Sequence, residues 1–184
     1  MKPSNVLVFE GTTSKVADLG SAVSRTRTSP REHHAIAGDE LYAPPELQYG
    51  AVPTEWNSRR FGCDAYLLGS LTVFLFTKTS MTALMSEAMD GTHHWRQWRG
   101  TFDDVLPYLR AGFGEAIERF KRDISSPILG EQLSRIVSEL CDPDPRLRGH
   151  PSDRRVGANQ YALTRYVSEF DLMTRKAELG KYNH

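Results

Sequence analysis

After Asp64 the chain runs Ala65-Tyr66-Leu67-Leu68-Gly69-Ser70-Leu71-Thr72-Val73-Phe74-Leu75-Phe76, and almost every residue is apolar. A helix that is apolar nearly all round belongs in an interior, so a central buried helix is predicted over Ala65 to about Thr77, with everything else packed around it. Asp64 stands where an N-cap would. The run falls short of the roughly 20 residues that a bilayer-spanning helix needs, and Gly69, Ser70 and Thr72 interrupt it. Met1-Lys2-Pro3-Ser4-Asn5 has no apolar core behind its lysine, which argues against a signal peptide.

Composition narrows the function classes. The 184 residues are 39% hydrophobic and 25% charged, the range of a folded domain with a real core or of part of a larger one. Lys+Arg and Asp+Glu both number 23, so the net charge is zero. A general nucleic-acid binder needs excess positive charge to displace counterions, and no nucleic-acid or membrane partner is expected. Two cysteines, Cys63 and Cys141, make no disulfide framework and have no metal-ligand spacing, so a reduced, cytoplasmic protein is expected.

The chain opens with a short β-type run, Val6–Phe9, a turn at Glu10-Gly11-Thr12-Thr13, and a second run, Lys15–Ala17. A hairpin this small needs a larger body to rest on. Ser21–Pro30 is Ser, Thr and Arg with little apolar content and reads as a mobile surface loop. Irregular chain continues through His33-His34 to Pro44-Pro45-Glu46, where two prolines forbid a helix interior. Helical patterns follow at Thr82–Met89, Phe102–Arg110, Gly114–Arg122, Ile128–Cys141 and Val156 to about Leu179. In the fourth, Leu129, Leu133, Ile136, Val137 and Leu140 share a face. In the last, Tyr161, Leu163, Tyr166, Val167, Phe170 and Met173 are spaced for burial. The fold class is mainly α with a small β-hairpin, in one unit spanning 1–184.

Asn5 precedes the first strand and Asp18 follows the second, so the hairpin brings an amide oxygen and a carboxylate to one end. Such hard oxygen donors suit Mg²⁺, although residues of these types are also ordinary at strand ends. The paired histidines His33-His34 and His93-His94 lack a third partner at ligand spacing and read as surface residues. Trp95 and Trp98 read as packing residues rather than a stacking platform for bases.

The surroundings of Asn5 and Asp18 add more. Lys2-Pro3-Ser4-Asn5-Val6-Leu7-Val8 resembles the end of the protein-kinase catalytic loop. Asp18-Leu19-Gly20 resembles the DFG motif with Leu for Phe, thirteen residues on from Asn5. Gly38-Asp39-Glu40-Leu41-Tyr42-Ala43-Pro44-Pro45-Glu46 resembles the end of an activation segment, with Pro-Pro-Glu for Ala-Pro-Glu. Asp64-Ala65-Tyr66-Leu67-Leu68-Gly69 is similar to the start of the family's central helix, and Asp144-Pro145-Arg146-Leu147-Arg148 to its late D-P-x-x-R motif. Five motifs in order resemble a serine/threonine protein kinase C-terminal lobe from the catalytic loop onward, with 1–20 as catalytic-loop end, hairpin and DLG, 21–46 as activation segment and 47–184 as helical body.

The resemblance implies roles. Asp18 and Asn5 would bind Mg²⁺ on ATP, and Lys2 would sit near the transferred phosphate. Lys2 is also what points to Ser/Thr rather than Tyr as acceptor. Asp64 would be buried against catalytic-loop backbone, and Glu46 and Arg148 would form a buried ion pair. The hydroxyls of Ser21, Ser24, Thr26, Thr28 and Ser29 among Arg25, Arg27 and Arg31 would suit a phosphorylation-switched loop. The family's general base stands five residues before its Asn, which falls ahead of Met1. The chain as given is therefore expected to be inactive, with Mg²⁺ and ATP belonging to an intact parent that phosphorylates protein hydroxyls. The alternative is a non-catalytic, pseudokinase-like interaction module. The face of the hairpin Val6–Ala17 with Leu7 and Leu19 is expected to be sticky, taking a separate N-lobe or a second copy.

Overall fold

Three-residue strands β1 (Val6–Val8) and β2 (Ser14–Val16) pair antiparallel in the computed structural model, with Val6 opposite Val16, Leu7 opposite Lys15 and Val8 opposite Ser14. The structure describes residues 2–9, 13–26, 34, 36 and 38–182. The turn at 10–12 and most of the Ser/Thr/Arg-rich loop, including Arg27, Thr28, Ser29, Arg31 and His33, lie outside the described residues.

The rest is helical: α1 (Pro45–Gln48), α2 (Trp56–Thr77), α3 (Met81–Ala88), α4 (Phe102–Arg122), α5 (Pro127–Leu140), α6 (Pro151–Arg155) and α7 (Thr164–Glu178). Among the described residues the protein is mainly α with one small hairpin. No single helix there is long and apolar enough to cross a membrane.

Several boundaries differ from expectation, each for a local reason. The central helix α2 starts at Trp56, not after Asp64, because the Glu55 carboxylate caps it by accepting the Ser58 N–H at 2.6 Å. Asp64 is therefore a mid-helix residue. Phe102–Arg122 is one helix, since Gly114 costs less than the packing of α4 on α3 and α5 returns. A reciprocal capping box of Thr101 and Asp104 starts it. The last helix begins at Thr164 rather than Val156, and a separate short helix, α6, precedes it and stops before Gly157, whose φ is +67°.

The core is built around one side of α2. Ala65, Tyr66 and Val73 meet Leu133, Ile136, Val137 and Leu140 of α5, Phe120 of α4, and Tyr166 and Met173 of α7. Gly69 lets α2 and α5 approach, because a Cβ there would stand 2.5 Å from Cys141 Sγ and 2.9 Å from Leu140 Cβ. A smaller cluster of Met85, Val105, Leu106 and Leu109 lies between α3 and α4, with Trp98 packed on its edge. Val167, expected inside, is exposed on α7. The other side of α2 is only partly covered: Leu67, Leu68, Leu71 and Phe74 are half-buried, and Leu75 is 60% exposed.

Candidate functional site

Asn5 and Asp18 are brought to one end of the hairpin by the ladder itself. Pro3–Asn5 forms a 3₁₀ turn with Pro at its start, and Asn5 N–H donates to Lys2 O at 2.9 Å. Ala17 N–H then donates to Asn5 O at 2.7 Å, which sets Asn5 opposite Ala17 and one residue from Asp18. Lys2 and Asn5 are half-buried, and Asp18 is exposed.

Asp18 has a left-handed backbone, φ 56° and ψ 65°, ahead of a 3₁₀ turn over Leu19–Ser21. A non-glycine residue there carries strain, which concentrates at sites where a side chain must be aimed. The carboxylate curls back toward Gly20, whose missing Cβ would lie 3.5 Å from Oδ1. A carboxylate and a carboxamide at the same end of the hairpin are donor types that could hold Mg²⁺, because that ion takes one or two protein oxygens and fills the rest with water and phosphate.

A second part of the site is the segment before α1. Asp39 Oδ1 accepts the Leu41 N–H at 3.1 Å and starts a 3₁₀ turn over Glu40–Tyr42. The carbonyls of this segment are held from below. Ser80 Oγ donates to Leu41 O at 2.6 Å, and Thr82 Oγ1 to Ala43 O at 2.9 Å. Thr82 is itself hydrogen-bonded to the Tyr66 hydroxyl at 2.9 Å, and Gln48 Nε2 donates to Glu40 O. On the surface, Trp95 Nε1 donates to Glu40 Oε1 at 3.2 Å and Arg96 pairs with Oε2 at 3.4 Å. His94 stacks on Trp95, and His93 on Tyr108. Sequence reading missed Ser80, Thr82 and Gln48; Ser80 alone carried a local signal, as the N-cap of α3.

The segment is tied into the body by Glu46 and Arg148. Arg148 Nη1 and Nη2 each donate 2.7 Å bonds to one Glu46 oxygen, and both side chains are buried. The guanidinium also donates to Gly62 O and Asp142 O at 3.1 Å and lies 5.0 Å over the Tyr66 ring. Burial alone would lower the Arg148 pKa, but the Glu46 charge and hydrogen bonds outweigh it and raise it. Burial pushes the Cys63 thiol up to about 12, with Glu46 and Asp64 adding to the effect, and burial raises Cys141 as well. Neither thiol is a nucleophile near neutral pH.

Asp64 corrects an expectation. It is exposed on the outer side of α2, beside a shallow depression of about 280 Å³ lined by Phe61, Asp64, Ala65, Asn159, Tyr161 and Leu163. The surrounding protein still raises its pKa by desolvation, with Arg60 acting in the opposite direction. The structure thus brings Asn5 together with Asp18 and Glu46 with Arg148, and leaves the Asp64 side chain exposed at the edge of that depression. No family model, no curated protein and no solved structure matches the chain.

Proposed function

We propose that the chain forms the C-terminal lobe of a serine/threonine protein-kinase-type domain, whose reaction is Mg-ATP-dependent phosphoryl transfer to a protein hydroxyl. The observation that carries this reading is the buried, bidentate Glu46–Arg148 pair. It joins the Pro-Pro-Glu segment to the D-P-x-x-R segment, two of the five motifs on which the resemblance rests. The strained Asp18 beside Asn5 adds to it. In this reading Asp18 and Asn5 hold Mg²⁺ and Lys2 offsets charge near the transferred phosphate. When bound, the ion neutralises phosphate oxygens. The chain's own contribution is to aim the Asp18 carboxylate and to fix the Glu40–Ala43 segment.

A second reading, a non-catalytic interaction module, is favoured by the ribbon's exposure: Val8 is 77% and Leu19 67% exposed. Paramagnetic Mn²⁺ with ATP distinguishes the two. The kinase-type reading expects amide signals of Asn5, Asp18 and Gly20 to broaden first in nitrogen–proton correlation spectra. The effect should be lost in Asp18→Ala while the rest of the spectrum is unchanged. No selective broadening in the folded wild-type chain would reject the metal-nucleotide site and leave the interaction module.

A further inference from the structure

The loop between α3 and α4 is fastened at two places, with one of two adjacent histidines at each. His93 is tied to the body: its ring centroid stacks 3.6 Å from that of Tyr108 on α4, and its carbonyl accepts the Tyr49 hydroxyl at 2.6 Å. His94 belongs to the outer contact. Its ring stacks on Trp95 at 3.8 Å, Trp95 Nε1 donates to Glu40 Oε1, and Arg96 pairs with Glu40 Oε2. His94 Nδ1 accepts the Arg96 N–H at 3.3 Å, a local side-chain-to-backbone turn that directs Trp95 and Arg96 toward Glu40. An imidazole that accepts at Nδ1 is neutral and carries its proton on Nε2. Once both nitrogens are protonated, no lone pair remains for the Arg96 N–H.

We propose that this loop is an acid-released latch on the Glu40–Tyr42 turn, with His94 as the group that takes up the proton. Proton uptake removes the acceptor of the Arg96 N–H and sets a second cation beside the Arg96 guanidinium. Two neighbours act the other way, the Glu40 carboxylate and the face of Trp95, which attracts a cation. Partial burial and then the Arg96 charge outweigh Glu40 and hold the His94 pKa below its ordinary value. Other charges nearby point elsewhere: Asp90 acts on His93, and Arg99 donates from Nη1 to Arg96 O and Trp98 O. A histidine held low in the docked loop binds its proton better once the loop lets go. The latch is therefore complete above about pH 6.5 and weakens as pH falls from there through the lowered value. The Arg96 and Glu40 side chains are 67% and 47% exposed, and a surface pair of that kind is weak, so one lost bond and one added like charge suffice to release it. Ser80 and Thr82 keep their hold on Leu41 O and Ala43 O, so acid frees only the outer side of the segment and bares the Glu40 carboxylate. The inference is independent of the kinase-type reading.

Nitrogen–proton correlation and Overhauser spectra of the full chain between about pH 8 and about pH 5 test it, with Trp95→Phe assigning the Trp95 indole signal. In the wild type the indole proton is expected to lose its Overhauser contact with Glu40 as pH falls below about 6.5, while the amide signals of α5 stay in place. His94→Asn offers the Arg96 N–H an acceptor but takes up no proton, and is expected to keep the contact throughout. His93→Phe keeps a ring on Tyr108 and is expected to lose the contact as the wild type does. Glu40→Ala should give the acid form's indole shift at every pH. A wild-type contact that persists in acid overturns the proposal, even if the indole signal shifts. A loss that survives His94→Asn, or vanishes in His93→Phe, overturns the assignment to His94. The wild-type ring protons of His94 give the same answer without a variant: their titration must share its midpoint with the loss of contact, and separate midpoints overturn the latch.

Discussion

Arg148 grips Glu46 across 102 residues of chain, one guanidinium nitrogen to each carboxylate oxygen at 2.7 Å, inside the protein. Neither charge has solvent to fall back on. Glu46→Ala or Arg148→Ala is therefore expected to destabilise the fold by about 3–5 kcal/mol, read as a lower denaturation midpoint in urea. The double replacement Glu46→Met with Arg148→Met should recover much of the loss, because it leaves no stranded charge. A single variant that melts like wild type would mean the pair is solvated in solution.

The Glu40–Ala43 segment depends on two buried hydroxyls. Ser80→Ala and Thr82→Val remove the donors to Leu41 O and Ala43 O, and each is expected to cost about 1–3 kcal/mol. Hydrogen exchange is the specific readout. The amides of Tyr42 and Ala43, which bond within the turn to Asp39 O and Glu40 O, should exchange faster in both variants. Amides of α5 should lose protection only in proportion to global stability.

Acid stability should show opposing carboxylates. Burial raises the Asp144 pKa, but Arg146, bonded to it at 2.8 and 3.0 Å, and Arg110 lower it further, so it lies below the usual carboxylate value. Its contribution is therefore complete above about pH 3.9 and is lost as pH falls through the depressed folded value. Asp144→Asn should lower stability at neutral pH and flatten the acid limb of a midpoint-against-pH series. Asp142 has the opposite sign. Burial raises its pKa, so its ionisation costs stability that returns as pH falls through the raised value. Asp142→Asn, which keeps an acceptor for the Asp144 N–H, should be neutral or stabilising at pH 7.

Backbone geometry makes one glycine irreplaceable. Gly149 has φ +95°, and a Cβ there would collide with the Gln160 carbonyl, which already accepts the His150 N–H at 3.1 Å. Gly149→Ala is expected to cost more than the roughly 1–3 kcal/mol of backbone strain alone. Thermal melting checks this, with Gly114→Ala as control, since an added Cβ at Gly114 meets nothing within 4 Å.

Local chemistry explains what could be read in advance. The short β-type run Val6–Phe9 followed by a Gly-containing turn marks the hairpin, and the spacing of Leu133, Ile136, Val137 and Leu140 marks the buried face of α5, because both signals are properties of the nearest few residues. The meeting of Asn5 with Asp18 follows from a hairpin register that a short turn sets. The start of α2 was hidden because Glu55 is an uncommon cap and polar residues through Arg60 mask the helix. The late start of α7 is hidden because the apolar spacing already begins at Tyr161 and Leu163, ahead of Thr164.

Sequence by itself determined the small hairpin, the helical body and the chemical types at each candidate position, all governed by contacts within a turn or two of chain. Only the tertiary structure decided that Ser80 and Thr82 hold the segment before α1, that Asp18 takes a left-handed backbone, and that Asp64 faces outward. The stretch of α2 from Ala65 to Phe76 is apolar nearly all round and so has no preferred side of its own. Which half is buried depends on where α4, α5 and α7 pack, and those contacts join residues far apart in the chain.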